Sequence, residues 1–161
     1  MTIAEYNICV DEFADRLYRF ALKTLNRSDS ANDVVQDTFE RLWIKRETVN
    51  YEKVKSYLFT TAYHAAIDVI RKNKKVADFD SVNPNAHSTT KGYSDLQEIL
   101  HEALKRLPEI QRSVILLRDY EGYSYQEIEE ITGLNESQVK VYIYRARLTL
   151  KEYIKTPEAV I

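Results

Sequence analysis

The stretch that decides the fold is GYSYQEIEEITGLNESQVKVYIYRARLTL, residues 122–150. Ser124 is followed three residues later by Glu127, a spacing that forms a capping box and predicts the start of a helix. Gly133 can take the left-handed conformation that ends such a helix, and Asn135 is a favoured cap for the next one. Two short helices joined by a turn of three or four residues that contains Gly form a helix-turn-helix.

The second of these helices is basic, whereas the chain as a whole is not. The 161 residues carry a net charge of −2, but residues 136–155 hold five Lys or Arg against two Asp or Glu. The first turns of a recognition helix reach base edges in the major groove, where Arg and Lys can also bind phosphate. The pattern therefore indicates DNA binding, although a basic amphipathic helix is also typical of an ordinary solvated face.

The composition favours helices throughout the chain. There are only three Gly and three Pro, and 30% of the residues are charged, which leaves few of the turn signals that a β fold needs. The single cysteine, Cys9, excludes an internal disulfide and a cysteine-based zinc site. No run approaches ~18 apolar residues, and the first residues lack a secretory pattern. We therefore expect a cytoplasmic protein with no membrane contact of its own.

Residues 76–94, VADFDSVNPNAHSTTKGYS, interrupt the helical pattern. They contain Pro84, Gly92 and a cluster of Ser and Thr, and they lack apolar periodicity, which predicts a flexible linker. The expected fold is all-α, with two small helical domains joined by this linker. The first domain is predicted over residues 1–75, and the second, which contains the helix-turn-helix, over residues 95–161.

Three helices are predicted in the first domain. One has apolar residues at three- and four-residue steps from Phe13 to Leu25. A second is expected to begin near Ser30, which precedes Asp33 at capping-box spacing. The third is predicted over residues 54–73, and it ends in cations that suit a helix C-terminus.

Three segments carry a resemblance to a known family. DVVQDTFERLWIKR, residues 33–46, resembles a core-binding helix, and SYLFTTAYHAAIDVIRKNKK, residues 56–75, is similar to the adjoining helix that recognises and melts the −10 promoter element. Residues 107–150 resemble a region that reads the −35 element. Together they resemble the bacterial RNA polymerase sigma factors of the extracytoplasmic-function type, over nearly the whole chain.

The resemblance implies a function and a set of partners. The chain would direct promoter-specific transcription initiation without catalytic activity, cofactor or metal. It would bind core RNA polymerase through the β′ clamp helices and the β flap, and it would bind promoter DNA. Members of this family are usually held by an anti-sigma factor, which is often linked to the membrane.

The resemblance also assigns a polymerase-binding surface. A stripe of carboxylates and amides complements a basic partner helix, and a Trp is a common hot spot in interfaces. Without the resemblance, a solvated acidic face with the Trp in the core would be the simpler interpretation. The predicted core-polymerase-binding residues are Asp33, Gln36, Asp37, Glu40 and Trp43.

The predicted −10 surface combines aromatic residues, which stack on unpaired bases, with cations that neutralise phosphates. His64 stands where the family usually has Asn, while Asp68 is retained, so base preference at that site does not transfer. Arg46 and Lys55 are further phosphate candidates. The predicted −10-binding residues are Asn50, Lys53, Tyr57, Thr60, Tyr63, His64, Arg71 and Lys72.

The predicted −35 surface lies on the helix-turn-helix. Val141 and Tyr142 stand at positions that are often small, polar or basic in the family, so the preferred −35 sequence does not transfer. The predicted −35-binding residues are Ser124, Gln138, Lys140, Val141, Tyr144, Arg145 and Arg147.

Two other classes of function explain less of the sequence. A simple helix-turn-helix regulator that acts without core polymerase would use the N-terminal helices for dimerisation or sensing. An enzyme is disfavoured because His64, His87 and His101 show no metal or triad spacing and no Gly-rich phosphate loop is present.

Overall fold

A computed structural model of the chain describes residues 1–79 and 95–155. These residues form helices and contain no strand, so the predicted all-α class is confirmed. The helices are α1 (Ile3–Leu25), α2 (Ser28–Ile44), α3 (Val54–Phe79), α4 (Asp95–Lys105), α5 (Glu109–Ile115), α6 (Tyr125–Thr132) and α7 (Glu136–Lys155). A 3-10 turn, Tyr51–Lys53, precedes α3, and a π-helical turn, Leu116–Tyr120, continues α5.

The first domain comprises α1 to α3. Helix α1 begins with a capping box between Thr2 and Glu5. The predicted capping box at Ser30 is wrong: α2 starts earlier, and its N-cap, Arg27, makes no side-chain cap. Asp29 occupies the first turn instead, where its carboxylate accepts hydrogen bonds from the Ser30 N–H and from Arg27.

Helix α3 is longer than predicted. It runs to Phe79, so residues 76–79, which were predicted as the start of the linker, are helical. No Gly or Pro occurs in this part of the sequence to end the helix before Pro84. The rest of the predicted linker, residues 80–94, lies outside the described residues, as does the end of the predicted second domain, residues 156–161.

The second domain comprises α4 to α7, and its helix-turn-helix is confirmed. Ser124 and Glu127 form the predicted capping box at the start of α6. Gly133 ends α6 with φ of 78°, in the left-handed region. Asn135 and Gln138 exchange hydrogen bonds of 2.8 and 3.0 Å between each backbone N–H and the other side chain, which caps α7.

The two domains pack against each other and share a continuous hydrophobic core. Helix α3 contacts α6, and α1 contacts α4 and α5. We call the central contact the seam and define it by Arg16, Lys55 and Phe59 of the first domain and Glu121 and Tyr123 of the second. The ring of Tyr123 is 2% exposed and lies edge-on to Phe59, with 5.6 Å between ring centroids.

Polar contacts reinforce the seam. The guanidinium of Arg16 donates to the Glu121 carboxylate at 2.9 and 3.2 Å. The Lys55 ammonium donates to the backbone carbonyl of Glu121 at 3.3 Å and lies 4.5 Å from the centre of the Tyr123 ring. Burial and the neighbouring Arg16 lower the pKa of Lys55. The seam therefore engages charged groups as well as apolar ones.

A buried arginine, Arg112, lies beside the seam. Its guanidinium donates to the carbonyls of Leu104, Lys105 and Leu107 at the end of α4, and to the carbonyl of Thr24 in α1 at 2.6 Å. Helix C-termini leave carbonyls unpaired and carry partial negative charge. One side chain thus satisfies the ends of two helices, one from each domain.

Candidate polymerase and promoter interfaces

The predicted polymerase-binding residues form one surface along α2. Asp33, Gln36 and Glu40 are exposed, and Asp37 is partly exposed. Asp37 pairs with Arg41 of the same helix at 3.2 Å. Their positions, three or four residues apart, place these side chains on one face, while Val34, Thr38 and Leu42 of the same helix are buried in the first domain. The acidic face is therefore available to a basic partner.

Trp43 extends this surface as a supported aromatic group. Its side chain is 38% exposed, so the expectation that it would otherwise lie in the core does not hold. Tyr6 packs edge-on to it, with centroids 5.0 Å apart, and the Arg46 guanidinium lies 3.9 Å from its ring centre. The neighbouring Ile44 is 68% exposed. Sequence reasoning missed Ile44, although its place at the end of the acidic face could have indicated it.

The predicted −10 residues are distributed over the 3-10 turn and α3. Asn50 caps the turn by accepting a hydrogen bond from the Glu52 N–H at 3.0 Å. Lys53 is exposed, and Tyr57 and Thr60 are partly buried. Further along α3, the exposed predicted residues are His64, Arg71 and Lys72.

Tyr63 differs from the other predicted −10 residues because it is 5% exposed and belongs to the core. Burial raises the pKa of its hydroxyl, and its ring lies 5.3 Å from that of His64. A base cannot stack on a ring that is already covered, so Tyr63 is not a stacking platform in this arrangement. Tyr57, in contrast, is partly exposed to solvent.

The two additional phosphate candidates are both engaged. Arg46 lies over Trp43 and donates to the Trp43 carbonyl at 2.8 Å. Lys55 is held in the seam by Glu121. Lys53, Arg71 and Lys72 are the predicted cations that remain exposed on this domain.

Several predicted −35 residues have structural roles within the helix-turn-helix. Ser124 and Gln138 are exposed, and both belong to capping boxes. Lys140 pairs with Glu136 one turn earlier at 2.7 Å. Arg147 binds Asp119 of the π-helical turn through contacts of 2.7 and 3.3 Å.

Within the described residues, the other three predicted −35 residues are not held by capping contacts or ion pairs of this kind. Val141, Tyr144 and Arg145 are exposed on the side opposite Val139 and Ile143, which are buried in the second domain. Within the described part of the chain, Arg145 makes no hydrogen bond or ion pair. These three side chains are therefore the predicted −35 residues of α7 that are most accessible to a ligand.

Neither a metal site nor a membrane helix was found in the described ranges. There, no group of three or more His, Cys, Asp or Glu side chains could hold a metal ion. Likewise, none of the helices in residues 1–79 and 95–155 combines the length and the apolar character that a membrane crossing needs.

Comparison with protein families assigns both domains. The family model of sigma-70 region 2 matches residues 9–76, and the model of sigma-70 region 4 matches residues 97–150. The first match covers the acidic face of α2 and most of α3, and the second covers the helix-turn-helix.

Individual relatives agree with this assignment. The RNA polymerase sigma factor SigV of Bacillus subtilis is 36% identical over 86% of this chain and 84% of the relative. The ECF RNA polymerase sigma factor SigM of the same organism is 31% identical over 86% and 88%. The sigma factor RpoE of Bartonella quintana, solved in complex with the anti-sigma factor NepR, aligns with a TM-score of 0.80 at 29% identity, covering 96% of this chain and 99% of RpoE. The chain belongs to the sigma-70 family, as an RNA polymerase sigma factor of the extracytoplasmic-function type.

Proposed function

We propose that this sigma factor binds core RNA polymerase through the acidic face of α2 and reads promoter DNA through α3 and α7. The observation that carries the proposal is the presence of regions 2 and 4, in that order, each with an exposed face of suitable charge. The protein acts in the cytoplasm and performs no catalytic step itself; the polymerase supplies the chemistry. A helix-turn-helix regulator that works without core polymerase is not favoured, because region 2 would then have no role.

The direct test is run-off transcription with core polymerase and the DNA upstream of the protein's own gene. A defined transcript is expected only when the sigma factor is added. If the protein binds this DNA but no transcript forms with any core preparation, the regulator hypothesis would gain over the proposal.

The polymerase contact is assigned to Asp33, Gln36, Asp37, Glu40 and Trp43. Reversing the charge of Asp37 and Glu40 to Lys should weaken the association with core polymerase, because like charges then face the basic partner. The helical content should stay unchanged, since both side chains lie outside the core. Asp11→Lys with Glu12→Lys makes the same change of charge on exposed positions of α1 and serves as the control. Undiminished affinity of the α2 double variant would remove the assignment.

The −10 contact is assigned to the 3-10 turn and α3. Lys53, Arg71 and Lys72 neutralise phosphates, and Tyr57 offers the ring on which an unstacked base can lie. Asn50, Thr60 and His64 complete the surface. Tyr63 is buried in the core, so its ring would have to become exposed before a base could stack on it.

The −35 contact centres on Arg145. A donor to a base edge contributes about 1–3 kcal/mol of discrimination, whereas a phosphate contact weakens all sequences alike. Arg145→Ala should therefore relax the preference at one base pair of a −35 library and leave core binding unchanged. Lys151→Ala, further along the helix, should weaken all sequences uniformly and reduce the salt dependence. If Arg145→Ala weakens binding to all DNA sequences uniformly, Arg145 contacts only the DNA backbone.

Reading both elements requires the two domains to separate. Elements centred about 25 base pairs apart lie roughly 85 Å apart along B-DNA. A compact chain of this length has a radius of gyration of about 15 Å, so it cannot span that distance while α3 packs on α6. The contacts of the seam must therefore break before the protein can bind both promoter elements.

The proposed partner of the protein with its two domains packed together is an anti-sigma factor. The Bartonella quintana RpoE was solved with NepR, and it aligns with 96% of this chain at a TM-score of 0.80. We infer that an inhibitor of this kind binds the present protein and holds the seam closed. Addition of such an inhibitor should abolish the run-off transcript.

A further inference from the structure

Two apolar side chains stand among polar ones on the DNA-facing side of α7. Val141 is 42% exposed and Tyr144 is 68% exposed. The core-facing side of the helix is already filled by Val139, Ile143 and Ala146, which are buried. Val141 and Tyr144 therefore add little to the core of the second domain.

Helix propensity does not explain Val141 either. A β-branched side chain loses rotamer freedom in a helix, and at an exposed position it gains no packing in return. Contact with a ligand would give the apolar groups at the centre of this face a packing partner.

The polar side chains around these two residues are largely committed elsewhere. Gln138 caps the helix, Lys140 is paired with Glu136, and Arg147 is paired with Asp119. Recognition by hydrogen bonds at this face therefore falls mainly to Arg145, and the surface beside Arg145 is apolar.

The major groove offers one apolar group to such a surface, the C5 methyl of thymine. We propose that Val141 and Tyr144 select thymine in the −35 element by contacting its methyl group. The inference rests on the proposed function and names the base chemistry that this chain's own helix selects. The two residues are about 4.5 Å apart along the helix axis, close to the ~3.4 Å step between base pairs, so neighbouring base pairs are the expected targets.

Leu148 supplies a matched control on the same helix. It is 43% exposed and continues the apolar stripe, but it lies about 18 Å along the axis from the start of α7. The major groove is only about 12 Å wide, so Leu148 lies beyond the bases that the first turns reach.

The experiment uses the full chain bound to core polymerase. The preferred −35 sequence is first selected from a promoter library that is randomised at that element. Each thymine of the selected sequence is then replaced by deoxyuridine, which removes the methyl group alone. One or two neighbouring positions should lose about fourfold in affinity, the factor that corresponds to burial of one such carbon group.

Variants connect this loss to the side chain. Val141→Ala should weaken the thymine promoter by a similar factor, and at one position deoxyuridine should then bind as well as thymine. Tyr144→Ala should do the same at the adjacent position, and Leu148→Ala should keep the full ratio. Since Ala is a better helix former than Val and both sites are exposed, circular dichroism should show an intact fold.

Two results would overturn the inference. One is equal binding of thymine and deoxyuridine at every position by the unaltered protein. The other is a thymine preference that persists in both Val141→Ala and Tyr144→Ala. Failure of the proposed −35 function itself would look different, because the library would then yield no preferred sequence at all.

Discussion

The seam between the domains and the exposed faces of α2 and α7 use charged residues in opposite ways. In the seam, Arg16 and Glu121 come from different domains, and Glu121 is only 11% exposed. On the exposed faces, ion pairs such as Glu136 with Lys140 join residues one turn apart and stay in solvent. Exposed pairs contribute little to stability, whereas buried charges need their partners. The charges in the seam thus hold the two domains together, whereas the ion pairs on the faces add little to stability.

The seam and the predicted −10 surface both include Lys55. Lys55 suits phosphate binding by its place in the first turn of α3, but its ammonium donates to the Glu121 carbonyl and lies over Tyr123. In the closed seam, Lys55 is therefore not available to the proposed −10 surface.

The largest effect is expected from Arg112. Arg112→Ala removes the donor to four carbonyls at the ends of α1 and α4 and leaves a cavity. The cost should be about 3 kcal/mol in the free energy of unfolding, because buried acceptors then lack partners. Urea unfolding measures it, and Arg106→Ala, an exposed arginine nearby, is the control. A loss below about 1 kcal/mol would show that water replaces the guanidinium.

A smaller effect is expected from a charge exchange across the seam. Arg16→Glu and Glu121→Arg should each weaken docking by about 1–2 kcal/mol, because a like-charge pair replaces a partly buried ion pair. Small-angle scattering should show a larger radius of gyration for each single variant. The double exchange should restore compactness in part, since Lys55 still lies beside position 121. Single variants as compact as the unaltered protein would mean that the apolar contacts of Tyr123 alone close the seam.

Short-range signals made much of the fold predictable. The capping box of Ser124 and the Gly133 stop act within a few residues, so the sequence was enough to place the helix-turn-helix. The box at Ser30 failed because Asp29, one residue earlier, took the first turn. Even then the signal lay inside the local sequence, because Asp29 is an acidic residue in the first turn of α2.

Contacts between domains were not predictable in the same way. Glu121 was one of several acidic residues of the second domain, and nothing near it in sequence indicates Arg16, which lies 105 residues away. The burial of Tyr63 and the capture of Lys55 have the same origin, because both depend on tertiary packing. Helical periodicity shows which side of a helix faces inward, but not which domain covers the other side.

Releasing Arg147 from its ion pair should increase the affinity of the α7 face for DNA. Asp119→Asn removes the carboxylate that binds Arg147 at 2.7 Å. The freed guanidinium can then bind a phosphate, so affinity for all DNA sequences should rise a few-fold and the salt slope should increase by about one. Filter binding at several salt concentrations measures both. Glu130→Gln, which removes an exposed carboxylate on α6, should leave the slope nearly unchanged. An unaltered slope in Asp119→Asn would indicate that Arg147 points away from the DNA.

The smallest effect concerns His101 of α4 and the dependence of stability on pH. Burial, followed by the nearby Lys105, lowers the pKa of His101 below its ordinary value of 6.5, and Lys23 and Arg112 act in the same direction. Glu102 opposes this shift only in part. The unfolded chain therefore binds the proton more readily than the folded one.

The sign of the pH effect follows from that difference. Stability should be full above pH 6.5, should fall as the pH decreases from about 6.5, and should level off once the pH is below the lowered pKa of the folded protein. His101→Gln should remove this part of the pH dependence, whereas His64→Gln, at an exposed position, should retain it. Thermal unfolding between pH 7.5 and 5.5 compares the three proteins. If His101→Gln keeps the same fall in stability, the proton that destabilises the fold in this pH range is taken up by a group other than His101.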